Sequence, residues 1–158
     1  MSLRAAVVVA SNRAAAGVYA DETGPLIARW LREQGFDCGD AVVVPDGDAV
    51  REAIAAAIEA GARVVLTTGG TGLTPTDRTP EATAPLLDRE VPGIAEAVRA
   101  AGVAQGVPTA MLSRGLAGIA GECLVVNLPG SRGGVKDGLG VLAPVLRHAV
   151  EQVVGSDH

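Results

Sequence analysis

The residues with the clearest chemical potential lie together between Leu66 and Glu81: Leu66-Thr67-Thr68-Gly69-Gly70-Thr71-Gly72-Leu73-Thr74-Pro75-Thr76-Asp77-Arg78-Thr79-Pro80-Glu81. A short apolar run, Arg63 to Leu66, passes straight into hydroxyls and glycines, then an aspartate, then a helix start. Gly69, Gly70 and Gly72 let backbone N–H groups converge on an anion, and Thr71 adds a hydroxyl donor, so the loop reads as a phosphate seat. Asp77 cannot help to bind a bare phosphate. Its natural partner is a divalent cation or a proton in transfer, which makes this loop a candidate reaction site.

Such a loop works only if the fold presents it. Ala5 to Ala10 is a continuous apolar strand, and Leu26, Ile27, Trp30 and Leu31 then repeat at helical spacing until Gly35. Ala41 to Val44 reads as a second strand. Val50, Ile54, Ala57 and Ile58 form the stripe of a second helix ending at Gly61, and Arg63 to Thr67 is a third strand. Thr79-Pro80 suits a helix cap and first turn, and Pro92 starts another helix through Ile94 and Val98. Ala110-Met111-Leu112-Ser113 and Leu124-Val125-Val126-Asn127 read as short strands, one of them a candidate for antiparallel pairing. A last helix is expected from about Val135, burying Leu139, Leu142, Leu146 and Val150. Strands apolar on both faces that alternate with amphipathic helices specify an α/β fold of three layers, a mostly parallel sheet with helices on both faces.

In such a sheet ligands bind beyond the carboxyl ends of the strands. Right-handed crossovers gather four loops there: Ser11-Asn12-Arg13, Pro45-Asp46-Gly47-Asp48, Thr68 to Asp77, and Leu128-Pro129-Gly130-Ser131. Asp46 and Asp77 are then expected to face one crevice beside the glycine loop. Structural duties compete for some of these residues. Asp48 is as good a helix cap as a site residue, whereas Asp46 is read as functional. Thr79 is better placed than Asp77 to cap its helix, which leaves Asp77 without a structural duty. Ser11 and Asn127 are also ordinary strand ends. Gly130 is also an ordinary turn residue, although Pro129-Gly130-Ser131 would present free N–H groups to an anion.

Composition narrows the classes. A chain of 158 residues, 48% hydrophobic, builds one domain over residues 1–158, and with 2% aromatic residues its core must be Ala, Val, Leu and Ile. Met1-Ser2-Leu3-Arg4 leads directly into a strand and no apolar run is long enough to span a bilayer, so a cytoplasmic protein without membrane attachment is expected. A net charge of −5 lacks the basic footprint that nucleic acid requires. Cys38 and Cys123 have no neighbouring ligand at metal spacing and read as reduced structural thiols. His148 and His158, at the far end of the chain, do not suit a histidine-based site. Lys136 is the sole lysine, so the glycine loop is no P-loop, and neither a dinucleotide fingerprint nor a nucleophile elbow is present.

The glycine loop with its Asp77-Arg78-Thr79-Pro80-Glu81-Ala82-Thr83 continuation, Ala110-Met111-Leu112-Ser113-Arg114, and Asn127-Leu128-Pro129-Gly130 resemble the Mog/MoaB proteins of molybdenum cofactor biosynthesis. Ser11, Gly17-Val18-Tyr19-x-Asp21, Gly24-Pro25 and Val44-Pro45-Asp46 follow the same family order, so the resemblance covers nearly the whole chain. It implies adenylyl transfer: binding of molybdopterin and Mg-ATP, joining of AMP to the pterin phosphate, release of pyrophosphate, and delivery to a molybdate-inserting partner enzyme. The family's essential aspartates match Asp46 and Asp77, expected to hold Mg²⁺ or its waters. Gly69, Gly70, Thr71 and Gly72 are then expected to seat the nucleotide. Ser11, Ser113 and the loop of Asn127, Pro129, Gly130 and Ser131 are expected to hold the pterin. The resemblance further implies a homotrimer or higher homo-oligomer. Asn12 departs from the family pattern, where aspartate is common, and Arg132 stands where proline often follows. The rival readings are a molybdopterin-binding or assembly protein without turnover, and a nucleotide-cofactor pyrophosphatase of the related competence-damage fold.

Overall fold

The computed structural model describes residues 3–17 and 21–155; Met1, Ser2, Val18, Tyr19 and His158 of the sequence features above lie outside them. In chain order the elements are β1 (Arg4–Ala10), α1 (Asn12–Ala15), α2 (Thr23–Glu33), β2 (Asp37–Cys38), β3 (Val42–Val44), α3 (Asp48–Glu59), β4 (Val64–Thr68), α4 (Thr79–Thr83), β5 (Arg89–Glu90), α5 (Pro92–Ala104), β6 (Ala117–Ala120), β7 (Cys123–Leu128), α6 (Arg132–Leu142) and α7 (Leu146–Val153). One sheet runs β2-β1-β4-β7-β6-β5, with β3 also pairing with β1. The pairs of β1 with β2, β3 and β4, and of β4 with β7, are parallel. Those of β6 with β7 and β5 are antiparallel.

The period of two along the strands builds two cores. Val7 and Val9 of β1, Leu66 of β4 and Val126 of β7 face Ile27, Leu31, Val98, Val135, Leu139 and Leu146 of α2, α5, α6 and α7. Val8, Val65 and Val125 face the other way, onto Val50 and Ile54 of α3 and Ala82 of α4. The sequence-based expectation of three layers and a mostly parallel sheet therefore holds, and no described helix is long and apolar enough to cross a membrane.

Three local expectations need correction. Ala110–Ser113 is not a strand: Pro108–Leu112 forms a 3₁₀ turn whose Met111 and Leu112 are exposed. The antiparallel strand is β6, whose Ala-Gly-Ile-Ala sequence carries little β propensity. The C-terminal helix is two, α6 and α7, separated at Ala143-Pro144-Val145, because a proline inside a helix lacks an N–H and clashes with the carbonyl four residues back. Parallel pairing puts the carboxyl ends of β1, β3, β4 and β7 on one edge, where the four loops meet.

Candidate active site

Gly69 follows β4 at φ +88° and Gly70 continues at φ +69°, backbone conformations that any Cβ would strain. Space forbids a side chain as well. A Cβ on Gly69 would strike the carbonyl oxygen of Ala10, and one on Gly70 would strike Thr79 Oγ1 and Asp46 Oδ2. The loop is tied at Gly69 N–H to Leu128 O, 3.3 Å, and at Gly70 O from Thr79 N–H, 3.0 Å. The N–H groups of Gly70, Thr71 and Gly72 donate to no described residue, which is the arrangement an anion seat requires.

The two aspartates are held differently. Asp77 Oδ2 accepts from Thr74 N–H (3.0 Å) and Thr74 Oγ1 (2.8 Å), while its Oδ1 receives no bond from a described residue. Asp46 Oδ1 accepts from Gly47 N–H (2.8 Å) and Thr79 Oγ1 (3.0 Å), and its Oδ2 from Arg78 N–H (2.8 Å). The Asp46 N–H in turn donates to Asn12 Oδ1, 2.9 Å. Asp46 thus joins the loops after β1, β3 and β4.

Three hollows surround the glycine loop. The first, about 450 Å³, is lined by Gly70, Thr71, Gly72, Asp77, Ser113, Pro129, Gly130 and Ser131, with Val98, Arg99, Gly102, Val107, Leu112 and Asp137 on its farther walls. The second, about 360 Å³, holds Ser11, Thr68, Gly69 and Arg132 and shares Gly130 with the first. Asp46 lies in the third, with Asp48, Arg78 and Glu81. The expected single crevice for both aspartates is therefore divided: Asp77 faces the first hollow, and Asp46 is drawn behind Gly70 by its bonds to Arg78 and Thr79. Asp48 is the first residue of α3, with Gly47 at the cap position.

The remaining candidates separate in the same way. Ser11 caps α1, its Oγ accepting from Ala14 N–H at 3.1 Å, and Ser131 caps α6 through Gly134 N–H at 3.1 Å. Ser113 Oγ accepts from Gly115 N–H at 3.3 Å. Asn127 is 4% exposed and lines none of the three hollows. Its Nδ2 donates to Thr67 Oγ1 (2.9 Å) and Thr83 Oγ1 (3.1 Å), and its Oδ1 accepts from Leu116 N–H (3.0 Å). It locks β7 to β4 and α4 beneath the loops.

Arg114 is the site-supporting residue that sequence reasoning passed over. Its Nε donates to Gly72 O (2.8 Å), its Nη2 to Asp77 O (2.7 Å), and its Nη1 pairs with Glu81 Oε2 (2.6 Å), so one guanidinium spans both ends of the Gly72–Asp77 segment. That hydrogen bond holds the Glu81 carboxyl below its ordinary range and raises Arg114 in turn. Its place in the Ala110–Arg114 motif was the available signal. The thiols stand apart from this chemistry: burial pushes Cys123 up to about 12, and Cys38 upward as well.

A family model described as a probable molybdopterin binding domain matches residues 6–148. The chain belongs to the Mog/MoaB family. It is similar to the Mog molybdopterin biosynthesis protein of Mycobacterium ulcerans, with 52% identity, a TM-score of 0.92, and coverage of 96% of this chain and 99% of that one. It is 44% identical over 155 residues to the molybdenum cofactor biosynthesis bifunctional protein of Synechococcus elongatus, covering 98% of this chain and 48% of that protein. It is 40% identical to the molybdopterin adenylyltransferase of Haemophilus influenzae, covering 87% of this chain and 71% of that protein. The chain spans half or less of the length of the first curated relatives it matches.

Proposed function

We propose that this Mog/MoaB member acts in molybdenum cofactor biosynthesis as a molybdopterin adenylyltransferase, converting molybdopterin and Mg-ATP to adenylyl-molybdopterin and pyrophosphate. The observation that carries the reading is one cavity lined by Gly70, Thr71 and Gly72, whose N–H groups donate to no described residue, beside Asp77, a carboxylate with one oxygen that no described residue engages. Relatives named for this activity, at 40% and 38% identity, support it.

A phosphate oxygen of the pterin attacks the α-phosphorus of ATP, forming one P–O bond as the bond to the departing pyrophosphate breaks. Two anions must be brought together in line, so the protein's task is positioning and charge compensation. Gly70 to Gly72 seat the nucleotide phosphates through backbone donors, in a loop that Gly69 anchors to Leu128. Ser113 and the Pro129–Ser131 loop, across the same cavity, hold the pterin arm so that its phosphate approaches that seat.

No group of three or more His, Cys, Asp or Glu side chains fit for a metal occurs among the described residues. Mg²⁺ is commonly held by one or two carboxylates together with substrate phosphates and water. Asp77 has the oxygen to hold it, and Asp46, with three bonds already accepted, would support it only indirectly, by fixing Arg78 and Thr79 at the end of the loop. Bound there, the ion would neutralise charge between the two substrates.

In this reading the protein works in the cytoplasm as a homotrimer or higher homo-oligomer and passes its product to a molybdate-inserting partner. Incubating the purified protein with molybdopterin, ATP and Mg²⁺ should give adenylylated pterin and pyrophosphate in equal amounts. Tight pterin binding without product would instead identify a binding or assembly protein.

A further inference from the structure

Beneath the glycine loop lie fully buried hydroxyls to which the proposed reaction assigns no role: Thr67, Thr79 and Thr83 are each 0% exposed. Thr83 Oγ1 accepts from Asn127 Nδ2 (3.1 Å) and donates to Thr79 O (2.8 Å). Thr79 in turn donates its N–H to Gly70 O (3.0 Å) and its hydroxyl to Asp46 Oδ1 (3.0 Å). On the other side Asn127 holds Leu116 twice. Leu116 N–H donates to Asn127 Oδ1 (3.0 Å), and Asn127 N–H donates to Leu116 O (2.8 Å). A Cβ on Gly115 would stand 3.2 Å from Asn127 O, so the segment that carries Ser113 lies directly against Asn127. One line of hydrogen bonds therefore connects residues 113–116 with the backbone of the glycine loop.

A threonine hydroxyl that bonds the carbonyl four residues back is ordinarily a local feature of a helix. Here it has a second duty. With five residues α4 is too short to hold a helical conformation alone, and no side chain caps its first turn. Among the described residues, the bond from Asn127 to Thr83 is the side-chain hydrogen bond that joins α4 to the sheet. The start of α4 is also where Gly70 and Asp46 are fastened. Whatever fixes α4 on β7 therefore fixes the glycine loop relative to Ser113, across the first cavity.

We infer that Thr83 is a positioning residue for the transfer: its hydroxyl, engaged by Asn127 Nδ2 and Thr79 O, keeps Gly70–Gly72 and residues 113–116 in one register. Thr83 lines none of the three hollows and acts only through its neighbours. The inference rests on the adenylyltransferase reading and adds to it the residue that aligns the two substrates. In-line attack tolerates little displacement, whereas each segment keeps its own donors if the two drift apart. Removing the hydroxyl should therefore slow turnover without weakening the binding of either substrate.

Three variants test this. Thr83→Val keeps the branched shape and removes the hydroxyl, and Thr83→Ser keeps the hydroxyl. Thr67→Val takes the other acceptor, at 2.9 Å, from the same Asn127 amide without touching α4. In Thr83→Val, kcat should fall about 10- to 100-fold while KM for ATP and for molybdopterin stays within about twofold. Thr83→Ser should return kcat to within about threefold of wild type. Thr67→Val should lower the thermal midpoint as Thr83→Val does, since each leaves one buried amide N–H unpaired, yet keep kcat within about threefold. Amide exchange at Thr79 in ligand-free protein should quicken about tenfold or more in Thr83→Val and not in Thr67→Val. Normal kcat in Thr83→Val, equal kcat losses in the two valine variants, or a raised KM at normal kcat overturns the inference. If wild-type protein forms no adenylylated pterin, the adenylyltransferase reading fails and Thr79 exchange decides for Thr83. Quickening confined to Thr83→Val then keeps Thr83 as the residue that aligns the two segments, and equal exchange in both valine variants removes it.

Discussion

Asp46 and Asp77 are the same residue type in loops that follow β3 and β4, the two parallel strands flanking β1, yet the fold uses them in opposite ways. Asp46 accepts from Gly47, Arg78 and Thr79 and stitches three loops together. Asp77, which lines the first cavity, is held through one oxygen by Thr74, and its other oxygen accepts from no described residue. Identical chemistry has thus been divided into a fastening and a free functional group. The division is set by neighbours: a carboxylate beside exposed N–H groups becomes structural, and one oriented by a single residue is left for a ligand.

The largest expected effect is at the free carboxylate. Asp77→Asn keeps the shape and the bonds from Thr74 but removes the charge, so turnover should fall about 10³-fold. The thermal midpoint should barely move. Steady-state pyrophosphate release beside a melting curve measures both, and a variant retaining more than a tenth of normal turnover would show Asp77 to be a second fastening.

Asp46→Ala should show the reverse balance. Losing three accepted bonds at a half-buried position should cost about 1–3 kcal/mol in urea unfolding, with turnover reduced roughly tenfold through a loosened loop. Equal turnover losses for the two variants, with no stability change in either, would erase the distinction between them. Gly70→Ala probes the same fastening from the other side. Its methyl group would collide with Asp46 and Thr79 at a positive φ, so a stability loss of about 1–3 kcal/mol is expected.

Arg114 bears on the Asp77 side alone. Arg114→Gln gives up the bonds that hold Gly72 and Asp77, and should raise amide exchange across residues 72–77 while leaving the loop of Asp46 protected. Turnover should drop about 10-fold, less than for Asp77→Asn, because the carboxylate itself remains. Unchanged exchange in that segment would show that Thr74 alone orients Asp77.

The parallel half of the molecule was legible in β1, β3, β4 and β7 because each is a largely apolar run, whereas β2, the two residues Asp37 and Cys38, was not. Those runs place the loops after β1, β3, β4 and β7 on one edge. The antiparallel edge was not legible. β5 is two residues long and β6 is small-residue sequence, so both exist through pairing with neighbours rather than through their own preference. The same limit applied within the site. The glycine seat and Asp77 are local in sequence and could be read there. The bonds of Asp46 to Arg78, of Arg114 to Gly72 and of Asn127 to Thr67 join residues 32, 42 and 60 apart, and no local pattern announces them.

The smallest effect separates the two loops by pH. The hydrogen bond from Arg114 depresses Glu81 in the folded protein, so the pair contributes stability above the ordinary carboxylate range and loses it as pH falls through the lowered value. Both side chains are partly exposed, at 35% for Arg114 and 58% for Glu81, and solvent screening keeps the contribution under about 1 kcal/mol. Wild-type protein should therefore melt slightly above Glu81→Gln near neutrality, and the two curves should converge below the ordinary carboxylate range. Amide exchange should follow the same course at residues 72–77, which Arg114 spans. Convergence accompanied by equal loosening around Asp46 would mean that the two loops melt as one unit, and that the free and the fastened carboxylate share a single support.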